Sequence, residues 1–316
     1  MRARCSSLRP PFGNSRPRET AETILLRGVL VASLALAGCA APMKPLADFG
    51  GATQALARSW SPFMPALEAS CESRWRYRAL SMPGTYDVRE ALAQAASECN
   101  ALGLEAGKAR LFAHALEDYA HALASVSGVH AGAFDDSLAT LADTAGQLQD
   151  AQGSAVFDPG RVQAAQRLAR AVAHVATARA QAAEARRLLK EPRQDLEIVV
   201  GAMKTYADAI LRPQLREAHD VMTGELVRLT RASAAPTQAD VEARLPWRLA
   251  QESVRRDLEE NNVQARQVDA FQEAADQLLV AHAALLADFD RLGQLDRLRG
   301  VDDFVARVRT LRDDLK

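Results

Sequence analysis

None of the compact catalytic signatures occurs in the 316 residues: no GxSxG elbow, Walker loop, HExxH pair, GxGxxG turn or CxxCH haem motif. The chain thus lacks the local chemistry of serine hydrolases, nucleotide-binding loops, zinc proteases, dinucleotide folds and c-type haem proteins. Aromatic residues are scarce, at 5 %, and no segment alternates polar with apolar over a strand's length, which argues against sheets. An apolar run long enough to span a bilayer, about 20 residues, is also missing. Basic residues give no excess, with 39 Lys and Arg against 40 Asp and Glu. That balance argues against a nucleic-acid partner, which requires clustered cations to displace counterions. No enzyme is expected.

What the chain has is alanine and leucine at helical spacing. Segments at 54–80, 85–127, 134–149, 161–191, 192–232, 247–292 and 302–315 all read as helix. Breaks are expected near Ser61-Pro62 and Pro65, at Pro83-Gly84 and at Gln152-Gly153-Ser154, and Pro213 predicts a kink. Thr85 or Asp87 with Glu90 signals one helix start, Asp158-Pro159 another, and Thr237 a third. The long helix after Pro83-Gly84 has the stripe Leu92, Ala95, Cys99, Leu102, Ala106, Ala109, Ala113, Leu116, Ala120, Leu123. Val268, Phe271, Ala275, Leu278, His282, Leu285, Phe289 and Leu292 follow steps of three and four, a heptad seam. Asn261-Asn262 is the expected bend. The fold class is all-α: an elongated antiparallel helical bundle with long, coiled-coil-like helices.

The exception to this pattern lies at the start. A leader with Arg2, Arg4, Arg9, Arg16, Arg18 and Arg27 precedes an apolar run over 28–38 that stops at Gly38-Cys39. The run matches the core of a secretory signal, about 7–15 residues. Leu36-Ala37-Gly38-Cys39 resembles, at every position, the lipobox of bacterial lipoproteins. That resemblance covers the first forty residues only. It implies diacylglycerol on the Cys39 thiol, cleavage before Cys39 and an N-acyl chain on the new amino group. Cys39 is then the anchor to a membrane, and no other cofactor is implied. Two or more acyl chains hold stably where one does so only marginally. Ala40, not an aspartate, follows the cysteine, which by the same resemblance favours the periplasmic face of the outer membrane. The domain plan is a signal peptide at 1–38, a lipidated flexible tether at 39–53 and a helical body at 54–316. Pro42, Pro45 and the pair Gly50-Gly51 suggest the tether. Without the leader's six arginines and with Glu19 and Glu22 removed, the chain keeps 33 basic and 38 acidic residues, near −5.

An oxidising periplasm leaves Cys71 and Cys99 as a candidate disulfide. They sit at comparable distances either side of the Pro83-Gly84 turn, so an antiparallel hairpin can bring them together. Two buried free thiols are the other reading.

Three features offer chemistry. His114, Asp118 and His121 share a helix face and carry metal-ligating groups, but they also suit a solvated rim. His282, a lone polar residue in an apolar seam, suits either ligand contact or a register-fixing core position. Trp60, Trp75 and Tyr77 with Arg74, Arg76 and Arg78 suit lipid headgroups or ordinary packing. Two functions are expected from these features. One is an interaction or structural component of the cell envelope, engaging an envelope protein or a second copy of itself. The alternative is a module that binds a small amphiphile or a metal in a cavity between helices.

Overall fold

The computed structural model describes residues 43–82, 86–127, 158–173, 181–233 and 241–315. The signal segment, Cys39 and the helix expected over 134–149 lie outside the described residues. Among the described residues the chain forms nine helices and no strand, an all-α bundle. In chain order they are α1 (Lys44–Ser59), α2 (Phe63–Ser81), α3 (Val88–Val126), α4 (Pro159–Ala173), α5 (Gln181–Lys190), α6 (Arg193–Tyr206), α7 (Arg212–Ser233), α8 (Val241–Ala287) and α9 (Arg299–Asp314). A π-type turn, Ala207–Leu211, joins α6 to α7, and a 3₁₀ turn, Phe289–Gln294, follows α8.

Local chemistry explains the ends. Asp87 starts α3 by accepting hydrogen bonds from the backbone N–H groups of Arg89 and Glu90 at 2.8 and 3.2 Å. Asp158 accepts from the Arg161 N–H at 3.0 Å, with Pro159 at the first helical position, where no N–H is needed. The expected kink at Pro213 is taken up just upstream by the π-type turn, which accommodates an extra residue before the proline. Of the single helix expected over 161–191, α4 and α5 cover the two ends, and residues 174–180 lie outside the described residues.

The tether of the domain plan needs correction. The segment expected to be flexible over 39–53 is helix from Lys44 onward, and its side chains are core: Leu46, Phe49 and Leu56 are fully buried. Pro45 falls in the first turn, where proline is tolerated. Gly50 is not a hinge either. A Cβ there would meet the Ala120 carbonyl oxygen at 2.9 Å and the Ala124 nitrogen at 3.0 Å, so its lack of a side chain lets α1 lie against α3. The Met43 N–H donates to the Ser127 carbonyl at 3.0 Å, closing the start of α1 onto the end of α3.

Contacts along the helices set their direction. α1 and α2 climb beside α3, which descends; Arg58 meets Glu117 at 2.6 Å and Cys71 is joined to Cys99 with Cα atoms 5.9 Å apart. α8 descends beside α1, since Trp60 packs on Phe271 and Phe49 near His282. With 39 residues, α3 is about 58 Å long at 1.5 Å per residue, and α8 with 47 is about 70 Å. Asn261-Asn262 does not break α8, which continues through both. The heptad seam is buried from Val268 to Leu285, yet it faces α1, α9 and the α6–α7 region in turn rather than one partner helix. Of α3's stripe, Ala95 and Cys99 are buried on the side of α2, but Leu92 is 56 % exposed.

Gly50→Ala should lower stability by about 1–3 kcal/mol, because the added methyl meets backbone that cannot swing aside. Gly51→Ala, with nothing within 4 Å, should gain up to about 1 kcal/mol from helix propensity. Equal urea midpoints for the two would return 44–53 to a tether. Replacing both Cys71 and Cys99 by alanine should cost about 3–4 kcal/mol from the lost loop constraint, read as a lower urea midpoint; an unchanged midpoint counts against a stabilising bridge.

Candidate functional site

The residues singled out in the sequence fall in different places. His282 is 3 % exposed in the main core. Its Nε2 lies 3.0 Å from the Tyr119 hydroxyl, and the Leu189 carbonyl takes the imidazole N–H on the other side. Phe49 packs close to the same ring, centroids 6.1 Å apart. Burial, reinforced by the nearby Arg193 cation and opposed by Glu197, lowers the imidazole pKa to about 4. His282 lines none of the clefts described below, and its contacts with Tyr119 and the Leu189 backbone are those of a register-fixing core residue that aligns α8 against α3 and α5.

His114, Asp118 and His121 do share one face of α3, near the level of His282. Among the described residues, however, no three His, Cys, Asp or Glu side chains gather closely enough to hold a metal ion. On one helix these three are strung along two turns, and among the described residues no second helix adds a ligand between them, so the metal expectation is not met there. Asp118 is half-buried, with Oδ2 lacking a hydrogen-bond partner among the described residues. Desolvation pushes its pKa up to about 6, opposed by His114 and His121 and aided by Glu117.

The aromatic–basic cluster is taken up in packing and ion pairs. Trp60 is fully buried among Phe63, Tyr206 and Phe271. Arg74 is 8 % exposed, pairs with Glu217 and, with Arg78, flanks the Trp75 ring. Tyr77 donates to Asp257 at 2.7 Å; burial, together with this carboxylate, raises the phenol pKa to about 12. The cluster lies on α2 beyond Trp60, away from Met43.

Among the clefts between the described helices, three are large enough to take a small molecule. At the waist, α7 and α8 enclose about 290 Å³ lined by Arg212, Arg216, His219, Asp220, Asn262 and Asp269, among others. Buried Asn261 braces this level, donating to the Leu215 carbonyl at 3.0 Å and accepting from Ser70 Oγ at 3.2 Å. Arg212 is held by Asp208 at 2.5 Å and Asp269 at 2.6 Å, and the lining sets Arg212 and Arg216 against Asp220 and Asp269, so the cleft has no net positive charge. A second cleft of about 550 Å³ runs between α1 and α9, with Lys44, Arg297, Arg309 and Arg312 facing Asp48 and Asp302. The third, about 360 Å³, sets Arg186, Lys190 and Arg193 over Leu286 and Phe289. It escaped the sequence reading because Pro192 interrupts the basic residues, although their spacing of four and three is that of one helix face.

Exposed apolar residues are strongly polarised along the bundle. Ten large ones are exposed among the described residues: Leu80, Met82, Tyr86, Val88, Leu92, Val227, Leu245, Trp247, Leu249 and Val280. All but Val280 lie past the Cys71–Cys99 level, at the end opposite Met43. The fold and these surfaces define the class only as an all-α helical bundle. No protein-family model, characterised protein or solved structure is detectably similar to the chain.

Two perturbed groups nearer the Met43 end titrate in the acid range, His282 and Asp118, and they have opposite linkage. His282, with its folded pKa depressed, contributes stability that is present above about pH 6.5 and lost as pH falls towards 4, on the order of 3 kcal/mol at most. Asp118, with its folded pKa raised, favours the fold as pH falls from about 6 towards 3.8. Asp118→Asn should therefore raise stability at pH 7 and leave a steeper acid loss between pH 6.5 and 4 than wild type. Parallel stability–pH curves for the two proteins would contradict the assignment.

Proposed function

We propose that the chain is a lipid-anchored helical bundle on the periplasmic face of the bacterial outer membrane. Cys39 carries diacylglycerol and an N-acyl chain, and the far end of the bundle engages an envelope protein or a second copy of the chain. The carrying observation is the polarity of the body. Its first described residue, Met43, is buried and stands four residues after the lipobox cysteine, while nine exposed apolar side chains sit at the opposite end. Isolated exposed leucines are ordinary, but this one-sided accumulation, with Val280 the one other large exposed apolar side chain among the described residues, marks an interaction surface.

The short connection supports a particular geometry. Four peptide steps span at most about 14 Å, so the acyl chains hold the Met43 end against the membrane. α3 then carries Val88 and Leu92 up to roughly 58 Å away. A disulfide between Cys71 and Cys99 suits an oxidising compartment and braces the two helices that reach furthest towards the partner.

Two measurements test this. Labelled palmitate should be incorporated by wild type and absent from Cys39→Ser, which should also keep its leader; equal labelling removes the anchor. A photo-crosslinking side chain in place of Leu249 or Leu92 should give one discrete adduct in cells, of dimer mass for self-association, whereas the same group at Val280 should give none. Adducts of equal yield at all three positions would remove the end-on interaction.

A further inference from the structure

The cleft formed by Arg186, Lys190 and Arg193 over Leu286 and Phe289 has the composition of an amphiphile site and stands at the end where α1 begins. The level follows from contacts already described. α8 runs antiparallel to α1, with His282 beside Phe49 and Phe271 beside Trp60. Leu286 and Phe289, one to two turns past His282, are therefore level with the start of α1 at Met43. Leu189, between Lys190 and Arg186, contacts His282 directly through its carbonyl.

We infer that this cleft binds the phosphodiester headgroup of one anionic phospholipid of the membrane, with the first methylenes of the lipid resting on Leu286 and Phe289. The inference rests on the anchored reading above, which brings the cleft within reach of headgroups. Its charges are available. Lys190 has no carboxylate within salt-bridge distance among the described residues. Arg186 pairs with Asp290, which is 84 % exposed, and Arg193 with Glu197 at 3.0 Å across solvent. Exposed pairs of this kind are weak, so a phosphate can replace either carboxylate at small cost. Three cations against two carboxylates leave a positive balance. Guanidinium groups suit phosphate because two parallel N–H donors match two oxygens. The Arg186 guanidinium already lies over the Phe289 ring at 5.0 Å, which fixes it above the apolar floor. The waist cleft lacks a positive balance; the α1–α9 cleft is basic too, but its apolar lining is only Gly, Ala and Val, with no leucine or ring to carry the lipid methylenes.

The test uses the full chain expressed in a bacterial host and extracted from membranes in detergent, titrated with dihexanoyl phosphatidylglycerol below its micelle concentration. One molecule should bind per chain, at least tenfold more tightly than dihexanoyl phosphatidylcholine. Arg186→Gln with Lys190→Gln, both exposed positions, should weaken binding tenfold or more while helical circular dichroism is unchanged. Inorganic phosphate at equal concentration should not compete. No binding, binding indifferent to the double variant, or equal competition by phosphate overturns the proposal, the last in favour of a free-anion site. Palmitate labelling of the same preparations separates the two readings: label retained with binding lost removes only the headgroup site, whereas binding retained with label lost supports the site and removes only the anchor.

Discussion

Where α1 crosses α3, only the hydrogen on Gly50 separates the helix from the Ala120 carbonyl, and the arrangement of the other helices depends on that close approach. With the two backbones this near, Phe49 and Trp60, three turns apart on one side of the segment, both reach the centre of the bundle. Phe49 meets Phe304 of α9 and the His282 ring of α8; Trp60 meets Phe63, Tyr206 and Phe271. One short helix and its end thereby touch α3, α8 and α9 and supply two of the largest side chains to a core made mostly of alanine, leucine and valine. In such a core the few aromatics matter disproportionately, since each buries several times the area of an alanine.

Apolar packing among so many similar side chains leaves helices free to slide by a turn, and two buried polar ties remove that freedom. His282 between Tyr119 and the Leu189 carbonyl locks α8 to α3 and α5. Asn261 between Ser70 and the Leu215 carbonyl locks α8 to α2 and α7. A shift by one residue would leave these groups buried without partners, which costs more than the ties themselves contribute. The second tie also marks a boundary: below it lies the main core, above it a smaller one around Tyr77, Ala218, Met222, Leu229 and Val254.

That smaller upper core explains the polarity of the surface. Towards the far end α3 packs through Ala91, Ala95 and Cys99, residues too small to cover much, while Val88 and Leu92 remain outside. The disulfide supplies the cohesion that a thin core cannot. Near Met43, by contrast, α1, α3, α8 and α9 pack on one another, and among the described residues Val280 is the one large apolar side chain left exposed outside the far end.

The sequence by itself determined that the chain is helical, where α3 and α4 begin, which cysteines can pair, and that Cys39 stands in a lipobox-like setting. Each of these is written in neighbouring residues: a capping aspartate, a proline in a first turn, a periodic stripe, a short motif. Tertiary structure alone decided that Gly50 is a contact point instead of part of a tether, that Leu92 is uncovered although it shares a stripe with Cys99, and that Arg186 and Phe289 meet although they lie far apart in the chain. Periodicity states which side chains share a helix face; whether another helix covers that face depends on how closely backbones approach, and this is settled by long-range sterics that no local pattern records.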